Sequence, residues 1–181
     1  MPSNRDELKK IYDKYREVYM NEKYYAHRLT TFSKWNDIYE GTLAIGASGT
    51  IASWPFFQKN EIGKNIWIIF GGVIAVLVVL KPFFKLARKV ESRSKLYIGY
   101  RDLRFDLEQL VDDIQANGFN ITQEIKNTFI AANKRYKSLG LEDEINPVKK
   151  LVDKYFEEVN SEIPSFSVWF PQAQDQSATI A

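Results

Sequence analysis

Residues Ile66 to Leu80 read IWIIFGGVIAVLVVL, fifteen residues without a charge, an Asn, a Gln or a His, and they are followed by Lys81, Pro82 and the pair Phe83–Phe84. Runs of roughly ten to fourteen apolar residues suit a buried core helix, whereas about eighteen or more suit a bilayer span. With the two phenylalanines this stretch reaches nineteen residues. Lys81 is the one charge in it, near enough to the end to reach the headgroups. A second uncharged stretch, Gly41 to Phe57 (GTLAIGASGTIASWPFF), precedes it across the short polar loop 58–65. The expected fold is therefore an all-α membrane protein, a two-transmembrane helical hairpin with spans at 41–57 and 66–84. The competing arrangement buries the hairpin inside a soluble helical domain. A chain of 181 residues is poorly able to enclose a helix that is apolar all round.

Whole-chain averages conceal this segment, because a mean hydropathy of -0.34 and 27% charged residues describe the polar helices around it. There are no cysteines, which excludes disulfides, thiolate metal sites and cysteine nucleophiles. The opening residues MPSNRDELKKIYDKY lack the apolar core of a cleaved signal peptide. The first span is expected to act as the targeting signal.

Charge asymmetry sets the expected orientation. Between positions 81 and 104 lie Lys81, Lys85, Arg88, Lys89, Arg93, Lys95, Arg101 and Arg104 against Glu91 and Asp102, whereas the loop holds Lys59 and Lys64. The positive-inside rule then places both termini in the cytoplasm and the chain in the inner membrane as a multi-pass protein. Lys81, Lys85, Arg88, Lys89 and Arg93 are the expected headgroup contacts. Trp35, Tyr39 and Phe84 would mark the inner interface and Trp54, Phe56, Phe57 and Trp67 the outer one, unless these rings serve simple packing. The same basic segment, interleaved with Tyr97 and Tyr100, leaves a nucleotide or nucleic-acid site as an alternative, although a net charge of +2 gives that no general support.

The flanks read as long cytosolic helices with coiled-coil spacing. In the N-terminal helix (1–40), Leu8, Ile11, Tyr15, Val18, Tyr25, Leu29 and Phe32 follow steps of three and four, with Glu22 occupying one slot. In the juxtamembrane helix (85–117), Leu96, Tyr100, Leu103, Leu107, Leu110 and Ile114 keep the same rhythm until Asn117 and Gly118 stop it. These two seams can pair as an antiparallel stalk, and the second is the expected oligomer seam. A C-terminal helical pair (120–163) follows. Asn120 is the expected cap of its first helix, which carries Ile121, Ile125, Phe129, Ala132, Tyr136 and Leu139 and ends at Gly140. Glu142, Asp143 and Glu144 read as a solvated acidic turn, and Asn146 with Pro147 as the start of a last helix containing Val148, Leu151, Tyr155 and Val159. The tail 164–181 has no helical rhythm and reads as a flexible terminus, with Phe166, Val168, Trp169 and Phe170 available to dock.

Nothing in the chain reads as catalytic machinery, a metal site or a cofactor site. Nucleophilic triads and most metal sites need histidine, and the only one is His27, on a helix near the membrane. Asp112 and Asp113 are adjacent, so on a helix they diverge instead of forming a dyad. The glycine pairs lie inside the apolar stretches with no following Lys, so there is no phosphate-cradling loop.

The first span carries the candidate functional face. Thr42, Gly46, Gly49 and Ser53 stack small or hydroxylated side chains along one side, with Thr50 beside them, while Leu43 is assigned to the lipid side. Small residues mark close helix contact and hydroxyls mark helix partners or water. The face therefore either packs on Gly71, Gly72 and Ala75 of the second span or lines a conduit. A two-span monomer cannot enclose a pore, so conduction requires a homo-oligomer.

The aromatic and basic helix YYAHRLTTFSKWNDIY leads into a small-residue span, a short loop, a more hydrophobic span and the basic helix KLARKVESRSKLYIGYRDL. This layout resembles the SLATT family, the SMODS- and SLOG-associating two-transmembrane effector domains of prokaryotic conflict systems, over roughly residues 5–140. The resemblance rests on architecture and spacing. It implies an antiphage effector that forms a pore or disturbs the membrane when a partner senses infection, the partner being a nucleotide-messenger synthase, a SLOG protein or a reverse transcriptase. A passive anchor for a cytosolic partner and a holin-like lysis protein are the other classes compatible with the sequence.

Overall fold

A computed structural model describes residues 4–47 and 61–164, and all regular structure in them is helical. Five helices follow in order: α1 (Asn4–Ala47), α2 (Glu61–Phe84), α3 (Leu86–Ala116), α4 (Gln123–Gly140) and α5 (Lys149–Glu162). Among the described residues, α2 is the one helix long and apolar enough to cross a membrane. Its stretch Glu61–Lys81 is 21 residues long and has a mean hydropathy of 2.1, yet only 6% of it is buried. The second expected span is not seen as a separate element. Gly41 to Ala47 continue α1 without a break, and residues 48–57 lie outside the described residues, as does the tail from 165 onward.

Several boundaries differ from the expected ones for local reasons. Gly41 does not interrupt α1, since a single interior glycine costs a helix only about 1 kcal/mol and nothing near it supplies a stop. Glu61 to Asn65, expected as loop, form the first turns of α2, where Glu61 complements the helix dipole. At the other end Pro82 removes an intrahelical donor. Three residues later Lys85 takes φ +46° and separates α2 from α3.

The chain divides into two compact units, one comprising α1 up to His27 with the chain from Ser94 onward, the other running from Arg28 to Arg93. In the first, α1 runs antiparallel to α3: Asn4 Nδ2 donates to the Phe119 carbonyl at 2.8 Å, Arg104 pairs with Glu22 at 2.6 Å, and Tyr25 stacks on Tyr100 at 5.6 Å. α4 lies parallel to α1, with Lys126 at 2.9 Å from Glu7 and the Tyr136 hydroxyl donating to Glu17 at 2.7 Å. α5 returns antiparallel to α1, as Lys23 bonds Glu158 and Glu162 at 2.6 and 2.8 Å and the Tyr12 hydroxyl bonds the Pro164 carbonyl.

That packing uses the expected seams internally. Leu96, Tyr100, Leu103, Leu107, Leu110 and Ile114 are between 0 and 2% exposed inside a single chain, in one cluster with Leu8, Ile11, Tyr15, Val18 and Tyr25. An oligomer seam at these six residues is thus corrected to an intramolecular core, since no face of them is left for a second copy. Each fully buried leucine contributes about 1.5–3 kcal/mol by area.

Helix ends in this unit are also specific. After Ala116, Gly118 and Phe119 both take left-handed φ (+63° and +62°), and the Phe119 amide bonds the Ile114 carbonyl at 2.9 Å. This is the stop that Asn117 and Gly118 announce. Thr122, not Asn120, caps α4, its hydroxyl accepting from the Ile125 amide at 3.3 Å. Val148, not Asn146, precedes α5 in extended conformation and has no side-chain cap; its amide instead donates to the Tyr24 hydroxyl at 3.1 Å.

Candidate functional site around the apolar helix

Within the unit 28–93, α2 and the last part of α1 lie side by side. The half-buried positions of α2 are Trp67, Phe70, Ile74, Leu77 and Leu80, a three- and four-residue rhythm that keeps one face toward a helical neighbour. Tyr39, 9% exposed, donates its hydroxyl to the Leu77 carbonyl and sets its ring edge-on to Phe84 at 6.3 Å. Gly46 faces Ile74 so closely that an added Cβ would overlap the isoleucine side chain. Lys81 pairs with Glu40 at 3.2 Å, both of them about half exposed.

The remaining surface of α2 is apolar and open: Ile68, Ile69, Val73, Val76 and Val79 are 50 to 69% exposed. Water solvates such a surface at a cost near 25 cal/mol per Å². A protein core would cover it, and the other described residues do not. That exposure favours membrane association over a buried soluble hairpin for α2.

The candidate stripe is resolved in part. The Thr42 hydroxyl turns back on its own helix, donating to the Ile38 carbonyl at 2.8 Å, and Gly46 meets Ile74. Gly49, Thr50 and Ser53 lie outside the described residues. The expected partners Gly71 and Gly72 have open space at the Cβ position, so the contact is glycine against isoleucine and not glycine against glycine. Leu43 is half-buried, whereas Ile45 is 48% exposed; the outward side is therefore that of Ile45. Of the expected interfacial rings, Trp35 is 60% exposed, Tyr39 is instead a packing residue, Trp67 lies 5.8 Å from Phe70, and Trp54, Phe56 and Phe57 lie outside the described residues.

The basic residues separate by environment. Lys81 is engaged by Glu40, while Lys85, Arg88 and Lys89 are exposed and Arg93 is half-buried. Arg28 and Lys89 approach the same Phe32 ring, at 4.8 and 5.7 Å from its centroid, an arrangement favoured by the ring quadrupole.

The helical unit holds a polar network that sequence periodicity missed. The hydroxyl of Tyr24 bonds Glu144 at 2.5 Å, that of Tyr100 bonds Asp143 at 2.8 Å, and the Glu144 amide donates to Tyr25 at 3.2 Å. Glu142 is exposed, as expected of an acidic turn, but Asp143 and Glu144 are half-buried under these tyrosines. Burial, reinforced by Asp143, pushes the Tyr100 phenol far above its ordinary range, and burial with Glu17 does the same to Tyr136. The one available signal was the density of tyrosine in both helices, which apolar patterning treats as plain core. His27 is exposed and its ring lies 6.0 Å from that of Tyr155, and Asp112 and Asp113 are both exposed. Among the described residues, no group of three or more His, Asp or Glu could hold a metal ion.

No protein-family profile matches the sequence, and no curated protein and no solved structure is similar to it.

Proposed function

We propose that this chain is an integral membrane effector: two spans, 41–57 and 66–84, with both termini in the cytoplasm, that assembles with copies of itself in the membrane and opens or disturbs the bilayer on a signal received by the helical unit. The observation that carries the membrane part is the exposure of α2, in whose apolar stretch only 6% of the residues are buried. The effector part is supported by the layout shared with the SLATT family and by the close Gly46–Ile74 contact, the kind of small-residue approach through which helices associate in lipid. Since the α3 seam is consumed within one chain, copies would meet through the membrane pair. The trigger would come from a partner such as a nucleotide-messenger synthase, a SLOG protein or a reverse transcriptase.

Passive anchoring is the second reading, favoured by the self-contained core of the helical unit, which packs without a second copy. One experiment separates the two and tests topology. The absence of native cysteine allows Lys64→Cys and Ser138→Cys to be labelled with an impermeant thiol reagent in intact cells, alongside a voltage-sensitive dye. Labelling at 64 alone, with depolarisation when the neighbouring genes supply the trigger, is the expected outcome. Labelling at 138 alone overturns the topology, and correct topology without depolarisation under any trigger leaves the anchor.

A further inference from the structure

The belt where α2 gives way to α3 carries more positive charge than its own carboxylates balance. Across residues 28–40 and 81–93 there are seven lysines and arginines against three carboxylates, and one of those carboxylates, Glu40, is committed to Lys81. Lys85, Arg88 and Lys89 are all exposed; Arg88 and Lys89 fall on the first turn of α3 and Lys85 directly precedes it, its carbonyl accepting from the Lys89 amide at 3.0 Å. All three cations thus lie within five consecutive residues at the start of α3. That first turn holds no acidic residue, so like charges crowd the positive end of the helix dipole. Arg28 of α1 comes from the opposite side, meeting Lys89 over the Phe32 ring. Immediately beside this belt the surface turns apolar, with Val79 67% and Phe83 75% exposed.

We propose that this belt binds anionic phospholipid, with Arg28, Lys85, Arg88 and Lys89 contacting the headgroup phosphate. The inference rests on the reading that α2 lies in a bilayer, and it adds a preference for one class of lipid. A soluble anion would satisfy the cations alone, whereas a phospholipid satisfies them and covers the adjoining Val79 and Phe83 with its acyl chains. Charge and apolar surface side by side match an amphiphile. Cations near an anionic leaflet contribute roughly fivefold each in binding.

The test uses the full chain reconstituted in nanodiscs of phosphatidylcholine alone or mixed with phosphatidylglycerol, with retained lipids counted by native mass spectrometry and the unfolding midpoint followed by tryptophan fluorescence. Wild type should retain phosphatidylglycerol preferentially and unfold at higher temperature in its presence. The triple variant Lys85→Gln, Arg88→Gln, Lys89→Gln should lose that preference by on the order of tenfold or more, and Arg28→Gln part of it, while the midpoint in phosphatidylcholine stays unchanged. Equal retention of the two lipids by wild type, or equal preference in wild type and triple variant, overturns the proposal. So does a midpoint shift reproduced by inorganic phosphate in phosphatidylcholine discs, which assigns the belt to a free anion. Failure of the protein to float with vesicles of either composition overturns the bilayer reading itself, an outcome distinct from insertion without lipid preference.

Discussion

Arg104 Nε donates to Glu22 Oε2 at 2.6 Å, bridging α3 and α1 at the single seam slot of α1 that holds no apolar side chain. The arginine also reaches Glu108 at 2.8 Å, and the Glu22 and Arg104 side chains are 13% and 17% exposed. A pair this covered gains from mutual attraction and hydrogen bonding what it loses in hydration, so its removal is asymmetric. Glu22→Ala removes the more covered of the two carboxylates that hold the Arg104 guanidinium and should cost about 2 kcal/mol. The double replacement Glu22→Leu, Arg104→Leu restores an apolar slot and should fall within about 1 kcal/mol of wild type. Thermal unfolding of the detergent-solubilised full chain, followed by circular dichroism, checks both; a double variant as unstable as the single one contradicts the expectation.

Alkaline pH should release the acidic turn. Tyr100 and Tyr136 are held above their ordinary value of 10.0 by burial first, then by Asp143 and Glu17 respectively. The unfolded chain loses these protons near the ordinary value while the folded chain keeps them. Their contribution to stability is therefore complete below about pH 10 and declines as pH rises toward the folded values. Tyrosinate absorbance from Tyr100 and Tyr136 should develop only together with loss of helix. A single early transition covering every tyrosine would show that the network does not hold in solution.

Those tyrosines also mark where sequence reasoning stopped. The apolar run, both seams and the stop at Gly118 were legible because each is a local or periodic signal: hydropathy sums over a window, Leu103 and Leu107 repeat at helical spacing, and glycine takes a positive φ without a Cβ clash. Tyr12 and Tyr24, 1% and 3% exposed, fall off the seam because α1 is packed on more than one side, by α5 as well as α3, and a two-helix reading gives it one stripe. Val148 replaces Asn146 ahead of α5 since its amide partner is a tyrosine 124 positions away, which no local cap rule encodes. The apolar character of Leu43 suits lipid, yet Tyr39 and Gly46, a turn away on either side, turn that face toward α2.

Lys85 should respond to glycine in the opposite sense to most helix residues. Its φ of +46° places a Cβ in the left-handed region, at a cost of about 1–2 kcal/mol. Lys85→Gly relieves this and should raise stability by about 1 kcal/mol, whereas Lys85→Val, branched at Cβ, should lower it by at least as much. Unfolding midpoints in detergent read both signs. If glycine destabilises, α2 and α3 do not break at this residue in solution.

Gly46 provides the sharpest test of the membrane pair. A Cβ there would overlap Ile74 Cδ1 and sit 3.0 Å from both Cγ atoms of the same residue, so Gly46→Leu must push α1 and α2 apart or force Ile74 from its rotamer, a change that costs about 1–3 kcal/mol in packed helices. Ile45, one residue earlier and 48% exposed, faces away from that contact, and Ile45→Leu should be nearly silent. Gly72→Leu discriminates further, because the space around Gly72 is open among the described residues. If copies associate through the free side of α2, Gly72→Leu weakens cross-linking between copies while leaving the Gly46–Ile74 pair intact. Gly46→Leu should instead abolish triggered depolarisation with insertion preserved. Loss of depolarisation in the Ile45 variant as well would mean that the fault is general misfolding of the segment and would remove the Gly46 contact from the mechanism.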